Sequence, residues 1–243
     1  MSKQHDSVFS PQLPLEVNLD DEPTFANYYL GESSENKQAV IQLVEFVQGR
    51  GIENFVFLWG YESVGLTHLL QASQHLAEAL GNRAVYISLH DHKKHTPESL
   101  LAISEKCEFL CLDDFDVIAG NAEWERAVFH LYNRMRDAGH RILIAAHEPL
   151  QSMKVSLPDL KSRLSYGVTY QIKPLSDDEK VHALQLHANE LGLSLNEETA
   201  WFIVHRASRG LSELFEILNK LDRASLAEKR KITIPFVKQV MEF

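Results

Sequence analysis

Apolar residues along this chain fall into two kinds of run. Short, nearly continuous β-rich runs occupy Phe55–Trp59, Ala84–Leu89, Phe109–Leu112, Ile142–Ala146 and Val168–Ile172. Around and between them, apolar positions recur at helical spacing over Asn36–Gln48, Thr67–Leu80, Pro97–Ser104, Ala122–Ala138 and Leu157–Leu164. Strands that alternate with helices of this length pair in parallel, so the predicted class is α/β, a parallel sheet with helices on both faces.

After Pro174 the pattern changes. Asp177–Leu191, Glu197–Ala207, Leu211–Ala227 and Ile234–Met241 read as consecutive amphipathic helices with no strand between them. Ser176 followed by Glu179 has the spacing of a capping box, and Asn196 is a good N-cap before Glu197. At the other end, Ser7–Leu19 carries two prolines and no period, which predicts a mobile tail. Three parts follow: a tail over 1–19, an α/β subdomain over 20–174 and an all-helical subdomain over 175–243.

The 243 residues are 44% hydrophobic and 24% charged, an ordinary globular composition. No run is long and apolar enough to span a bilayer and the first residues lack a signal-peptide core, so a cytoplasmic protein without a membrane partner is expected. A net charge of −10 argues against independent, non-specific nucleic-acid binding, which depends on neutralising phosphates with Lys and Arg. Cys107 and Cys111, the two cysteines, match no zinc or redox spacing and read as reduced core thiols.

The strongest chemical signal is Gly60-Tyr61-Glu62-Ser63-Val64-Gly65-Leu66-Thr67-His68. Gly60, Gly65 and Thr67 fit the phosphate-loop pattern G-x-x-x-x-G-K-[ST], but Leu66 stands where a lysine would reach the β- and γ-phosphates. Backbone N–H groups and a helix N-terminus hold a diphosphate without that lysine, whereas triphosphate turnover relies on its charge. The expectation is a nucleotide-holding protein with poor ATPase activity. About fifty residues on, Phe109-Leu110-Cys111-Leu112-Asp113-Asp114 has the form of a Walker B strand whose Asp113 can hold Mg²⁺.

Other features leave two readings open. The imidazoles of His90-Asp91-His92-Lys93-Lys94-His95 could share a metal, although the two lysines favour a solvated loop. His147 is either a polar sensor or a loop residue. Gln12-Leu13-Pro14-Leu15 has the look of a pocket-docking peptide, or belongs to a tail that packs on its own domain. Arg163 either complements its helix dipole at the surface or acts as an arginine finger on a neighbour's nucleotide.

Taken together, the chain resembles the AAA+ module of DnaA-type replication initiators, and within it the DnaA-related regulators of initiator inactivation. Carrying the resemblance are Thr24-Phe25-Ala26-Asn27-Tyr28 and Gly31, Gly65 with Thr67-His68-Leu69-Leu70, Asp113-Asp114 with Ala119-Gly120, and Leu157-Pro158-Asp159-Leu160 with Ser162-Arg163-Leu164. Pro174-Leu175-Ser176-Asp177, Leu221-Asp222-Arg223-Ala224-Ser225 and Ile234-Pro235-Phe236-Val237 extend it through the helical part. It implies an AAA+ P-loop fold with a helical lid and without the initiators' N-terminal and helix-turn-helix domains.

For the site, the resemblance implies a nucleoside diphosphate, ADP above all, held by Tyr28, Tyr29, Gly60, Ser63, Val64, Gly65, Leu66, Thr67, His68 and Arg209, with Mg²⁺ at Asp113. Ala145 falls at the first sensor position and Ser212 at the second sensor's arginine, both losses of γ-phosphate contacts. The implied partners are a DnaA-type initiator, on whose ATP Arg163 would act in trans, and the sliding clamp, docked by Gln12, Leu13 and Leu15. Contact with DNA would then be only indirect. Rival readings are a slow ATPase acting on its own ATP, with Arg163 working between like subunits, and a helicase-loader-like or clamp-loader-like adaptor.

Overall fold

A computed structural model of the chain describes residues 22–51, 53–94, 96–206 and 210–242. Gln12, Leu13, Leu15 and Arg209 lie outside the described residues. Five strands, β1 (Phe55–Trp59), β2 (Ala84–Ser88), β3 (Phe109–Asp113), β4 (Arg141–Ala146) and β5 (Val168–Gln171), form one parallel sheet in the order β2-β3-β4-β1-β5. Every strand is one the apolar runs predict, and no end differs by more than one residue. β1 lies beside β4 and β5 while its chain successor β2 sits at the far edge, so the chain reverses direction across the sheet between β1 and β4. Crevices at such a switch point, at the carboxyl ends of the strands, are where open α/β sheets bind ligands.

Helices α1 (Ser34–Val47) and α2 (Leu66–Ala79) cover one face, and α3 (Pro97–Ser104), α4 (Ala122–Asp137) and α5 (Pro158–Tyr166) the other. The sheet therefore contributes to two cores. Phe57, Leu110, Leu112 and Ile144 face Trp124, Leu131 and Leu160, whereas Val56, Leu58, Cys111 and Leu143 face Leu43, Leu69 and Leu70. Strict alternation along β1 delivers each face to its own helix layer. Cys107 and Cys111 are free and fully buried, and burial pushes both thiols above their usual range.

The remaining helices, α6 (Asp177–Glu190), α7 (Glu197–Arg206), α8 (Leu211–Glu228) and α9 (Ile234–Met241), pack around a third core of Leu184, Ile203, Leu214, Leu218 and Phe236. Ser176 and Glu179 form the predicted capping box, and Asn196 accepts from the Thr199 N–H at 2.8 Å. Glu179 does more than cap. Its carboxylate also accepts the Glu32 N–H at 2.6 Å, tying the lid to the segment before α1. Gly31 meets that contact at φ +64°, where a Cβ would stand 2.5 Å from both Glu179 Oε1 and Leu175 Cδ2. No helix among the described residues is long and apolar enough to cross a membrane.

In the His90–His95 run, whose last residue lies outside the described residues, His90 is exposed and His92 turns inward. Leu89–Lys94 is a 3₁₀ turn in which His92 Nδ1 lies 3.0 Å from the Leu89 carbonyl and the ring meets Trp124 edge-on. The aromatic face of α4 draws the imidazole inward. Among the described residues no cluster of three metal-ligating side chains occurs.

Candidate functional site

β1 ends at Trp59 and the chain turns at Gly60, where a Cβ would fall 2.7 Å from the Ile172 carbonyl and from Val64 Cγ2. Close backbone packing makes glycine necessary there. Ser63 takes φ +66° and Gly65 φ +89°, and Gly65 is the N-cap of α2 with no side-chain acceptor of its own. The first amides of α2 therefore lack intrahelical partners and sit at the positive end of a 14-residue helix. Ring and glycine are matched at the same spot: a Cβ on Gly65 would be 2.8 Å from Tyr28 Cε2, and the Tyr28 hydroxyl donates to the Val64 carbonyl at 2.8 Å. His68 lies against Tyr28 and within 2.8 Å of the Thr24 carbonyl, and burial lowers its pKa.

Leu66 is buried with Leu69 and Leu70 in the core under α1 and α2. Its side chain is thus part of the packing and offers nothing to a phosphate. Behind the loop, Thr67 donates its hydroxyl to Asp113 Oδ2 at 2.7 Å, and Tyr86 donates to the same oxygen at 2.9 Å. Asp113 is fully buried, and desolvation raises its pKa.

The next residue, Asp114, takes the left-handed conformation at φ +58°. It accepts from the Ser88 hydroxyl at 2.7 Å and faces His147 Nε2 at 3.4 Å. The hydrogen bond from His147 is the largest cause holding Asp114 below its usual range, and the same contact raises His147. A further anchor is the His147 N–H on Asp116 Oδ1 at 2.9 Å. His147 is therefore part of the acidic cluster, whereas Ala145 is a fully buried strand residue.

The oxygen donors of Thr67 and Asp113 suit Mg²⁺, a hard cation that takes one or two carboxylates and completes its shell with phosphate oxygens and water. A bound Mg²⁺ would neutralise phosphate charge at that end of the loop. The two glycines that a Cβ would block, and the uncapped α2 N-terminus, fit a diphosphate.

On the lid side, Gly210, the N-cap of α8, abuts the loop: a Cβ there would be 2.9 Å from Ser63 Cβ. Ser212 lies in the first turn of that helix. Tyr29 sits in the segment that Glu179 ties to the lid, and burial, then Glu179 and Glu32, raise its pKa. Tyr86 and Ser88 had no motif to announce them, only their place near a strand end. Glu179 was announced as a cap, but its bond to the Glu32 N–H was not.

Arg163 is elsewhere. It lies in the last turn of α5, half-buried, within electrostatic range of Tyr132, whose ring packs edge-on at 5.2 Å against Phe55 at the start of β1. Gly60 follows the other end of that strand, about 16 Å away at ~3.3 Å per residue. Among the described residues the Arg163 guanidinium has no hydrogen bond or ion pair.

Comparison with known proteins agrees with this architecture. Residues 19–171 match the family model described as the bacterial DnaA ATPase domain, and residues 177–241 match the model of the Hda lid domain. The structure is similar to domain III of the Thermotoga maritima replication initiation protein DnaA, with a TM-score of 0.76 and 21% identity, covering 93% of this chain and 98% of that one. AMPPCP-bound DnaA from Aquifex aeolicus gives a TM-score of 0.69 at 23% identity over 87% of this chain and 71% of that one. The Holliday junction branch migration motor RuvB of Thermotoga maritima gives 0.68 at 16% identity over 90% and 71%. At these identities the structural likeness establishes the shared AAA+ fold.

Proposed function

The chain belongs to the bacterial DnaA ATPase-domain family of AAA+ proteins, with a lid of the Hda type, and from that membership we propose that it is a regulator that switches off a DnaA-type initiator. In this reading it holds ADP or another nucleoside diphosphate in its own phosphate loop, with Mg²⁺ at Thr67 and Asp113. It is tethered in the cytoplasm to the DNA-loaded sliding clamp by Gln12, Leu13 and Leu15, and presents Arg163 to ATP bound by the initiator.

The observation that carries this reading is the Arg163 guanidinium, which among the described residues has no hydrogen bond or ion pair and lies near the start of β1, at the other end of that strand from the phosphate loop. A cation so placed lies toward the other end of β1 from the chain's own phosphate loop. Half-buried and without a carboxylate partner among the described residues, it suits a nucleotide supplied from outside the chain. An arginine supplied in trans to a transferring phosphoryl group is worth about 10³–10⁵ in rate, so the supplier needs no turnover of its own. Leu66, packed in the core, supports the same division of labour. DnaA proteins of this fold bind AMPPCP, a triphosphate analogue, which is consistent with a nucleotide on the initiator side of such a pair.

The rival reading, a slow ATPase, draws on the Thr67–Asp113 pair, whose oxygens would hold Mg²⁺. One experiment separates the two: hydrolysis of ATP pre-bound to initiator, measured with this protein, with DNA-loaded clamp, and with both. Stimulation that requires both, and is lost on removing residues 1–19, supports the regulator. Steady hydrolysis by the isolated protein, unaffected by initiator, supports the rival.

A further inference from the structure

Glu125 is a fully buried carboxylate on α4 that faces main-chain N–H groups. Gly120 N–H donates to Oε1 at 2.7 Å, Ser156 N–H reaches both oxygens at 3.0 Å, and Leu157 N–H donates to Oε2 at 2.7 Å. Leu157 is the N-cap of α5 and supplies no side-chain acceptor, while Pro158 occupies the first helical position. The carboxylate of another helix thus holds the N–H of the N-cap residue and of the residue before it, as the acid of a capping box holds the first of these, and places its charge at the positive end of α5.

Its third donor, Gly120, takes φ +89° in the loop that follows the acidic strand. From the same loop region Asp116 accepts the His147 N–H. A single side chain therefore joins the segment below Asp113 and Asp114 to the helix that carries Arg163.

Resting on the reading above, we infer that Glu125 is the positioning residue for Arg163: it fixes the start of α5 and so sets where the guanidinium points. Six residues separate Leu157 from Arg163, about 9 Å along a helix at ~1.5 Å per residue. Over that lever a tilt of about 10° displaces Arg163 by about 1.5 Å, and a misplacement on the order of 1 Å at a catalytic group can cost ~10²-fold in rate. Backbone amides make good partners for this purpose, because buried charge-assisted hydrogen bonds are short and directional.

The test uses the full chain carrying Glu125→Gln, which keeps the volume but turns an amide NH₂ toward donors, beside Glu125→Asp, which keeps the charge with a shorter reach. The expected result is faster hydrogen exchange at the amides of Ser156, Leu157 and the first turn of α5. With it should come a fall of on the order of 10- to 100-fold in the maximal stimulation of initiator ATP hydrolysis. The half-saturating concentration and ADP affinity should stay unchanged, because a positioning defect spoils the step after docking. Unaltered exchange, or full maximal stimulation by a Glu125 variant in an assay where Arg163→Ala is inactive, overturns the inference. Full stimulation by Arg163→Ala instead overturns the reading beneath it, and the inference with it. Should Glu125→Gln fail to fold, Glu125→Asp decides by the same two measurements.

Discussion

The side-chain amide of Asn36 binds both main-chain groups of Lys173: Nδ2 donates to its carbonyl at 3.0 Å and Oδ1 accepts its N–H at 2.8 Å. Asn36 is buried in the first turn of α1, and Lys173 is the last residue before the Pro174-Leu175-Ser176 linker into the lid. An asparagine thus imitates a paired strand at the hinge, where β5 has ended and the backbone would otherwise be unpaired. Lys173 Nζ adds an exposed ion pair with Glu35 at 2.7 Å, which solvent screens.

Asn36→Ala removes two part-buried hydrogen bonds to the Lys173 backbone, worth about 0.5–1.5 kcal/mol each. The expected outcome is a drop of that size in denaturant stability, together with faster exchange of the Lys173 amide. Lys173→Ala removes only the screened pair and should change stability by less than about 1 kcal/mol. Equal effects from the two substitutions would show that the hinge is not held by Asn36.

The phosphate loop is built to exclude a side chain at Gly65. Gly65→Ala would force Cβ to 2.8 Å from the Tyr28 ring in a φ +89° conformation that alanine resists. Calorimetry should give tighter binding of ADP than of ATP by the native chain, and loss of at least about tenfold in ADP affinity for the variant, the equivalent of ~1.4 kcal/mol. Tighter ATP binding by the native chain would contradict the absence of a γ-phosphate contact at Leu66.

The Asp114–His147 contact has a defined pH signature. Because His147 is raised above its ordinary 6.5, its contribution is complete below that pH and is lost as pH rises through its folded value. Asp114 is lowered below 3.8, so its contribution is present above 3.8 and lost only as pH falls through its folded value. The pair is therefore strongest between these limits. His68, lowered by burial, has the opposite slope, confined to the range below 6.5. His147→Gln should accordingly flatten the loss of melting temperature as pH rises above about 6.5 relative to the native chain, while the His68 slope on the acid side remains. An identical pH profile in the variant would remove the pair from the stability of the site.

How much of this was legible in the sequence depended on whether the signal was local. Continuous apolar strands such as Phe109–Leu112, the glycines of the loop and the Ser176–Glu179 capping box each announce themselves within a few residues, and each is where the pattern put it. Glu125 reads as one more solvated acid in the polar face of α4, because its partners, Gly120, Ser156 and Leu157, come together only when α5 folds back across that helix. His147 was ambiguous for the same reason. Its role depends on Asp114, from a different strand end, and on a left-handed turn that the dipeptide Asp113-Asp114 does not reveal. Leu66 shows the limit in the other direction: the sequence registers a missing lysine, but only the packing shows that the position has become part of the core.

Arg163 gives the sharpest test of the proposed role. Its guanidinium is a planar, permanently charged fork, and the ammonium of a lysine cannot place two parallel N–H groups on phosphoryl oxygens. In the initiator assay with DNA-loaded clamp, Arg163→Lys should therefore fail almost as completely as Arg163→Ala, with stimulation reduced by on the order of 10³-fold or more. The half-buried side chain has no hydrogen bond or ion pair among the described residues, so neither substitution breaks a native polar contact. Leu160 and Leu164, which anchor α5 in the core, remain in place. Melting temperature, ADP affinity and clamp binding should all match the native chain. Normal stimulation by Arg163→Ala would remove the residue from the mechanism. Lost ADP binding by that variant would place the guanidinium at the protein's own nucleotide, against its place near the start of β1, at the other end of that strand from Gly60.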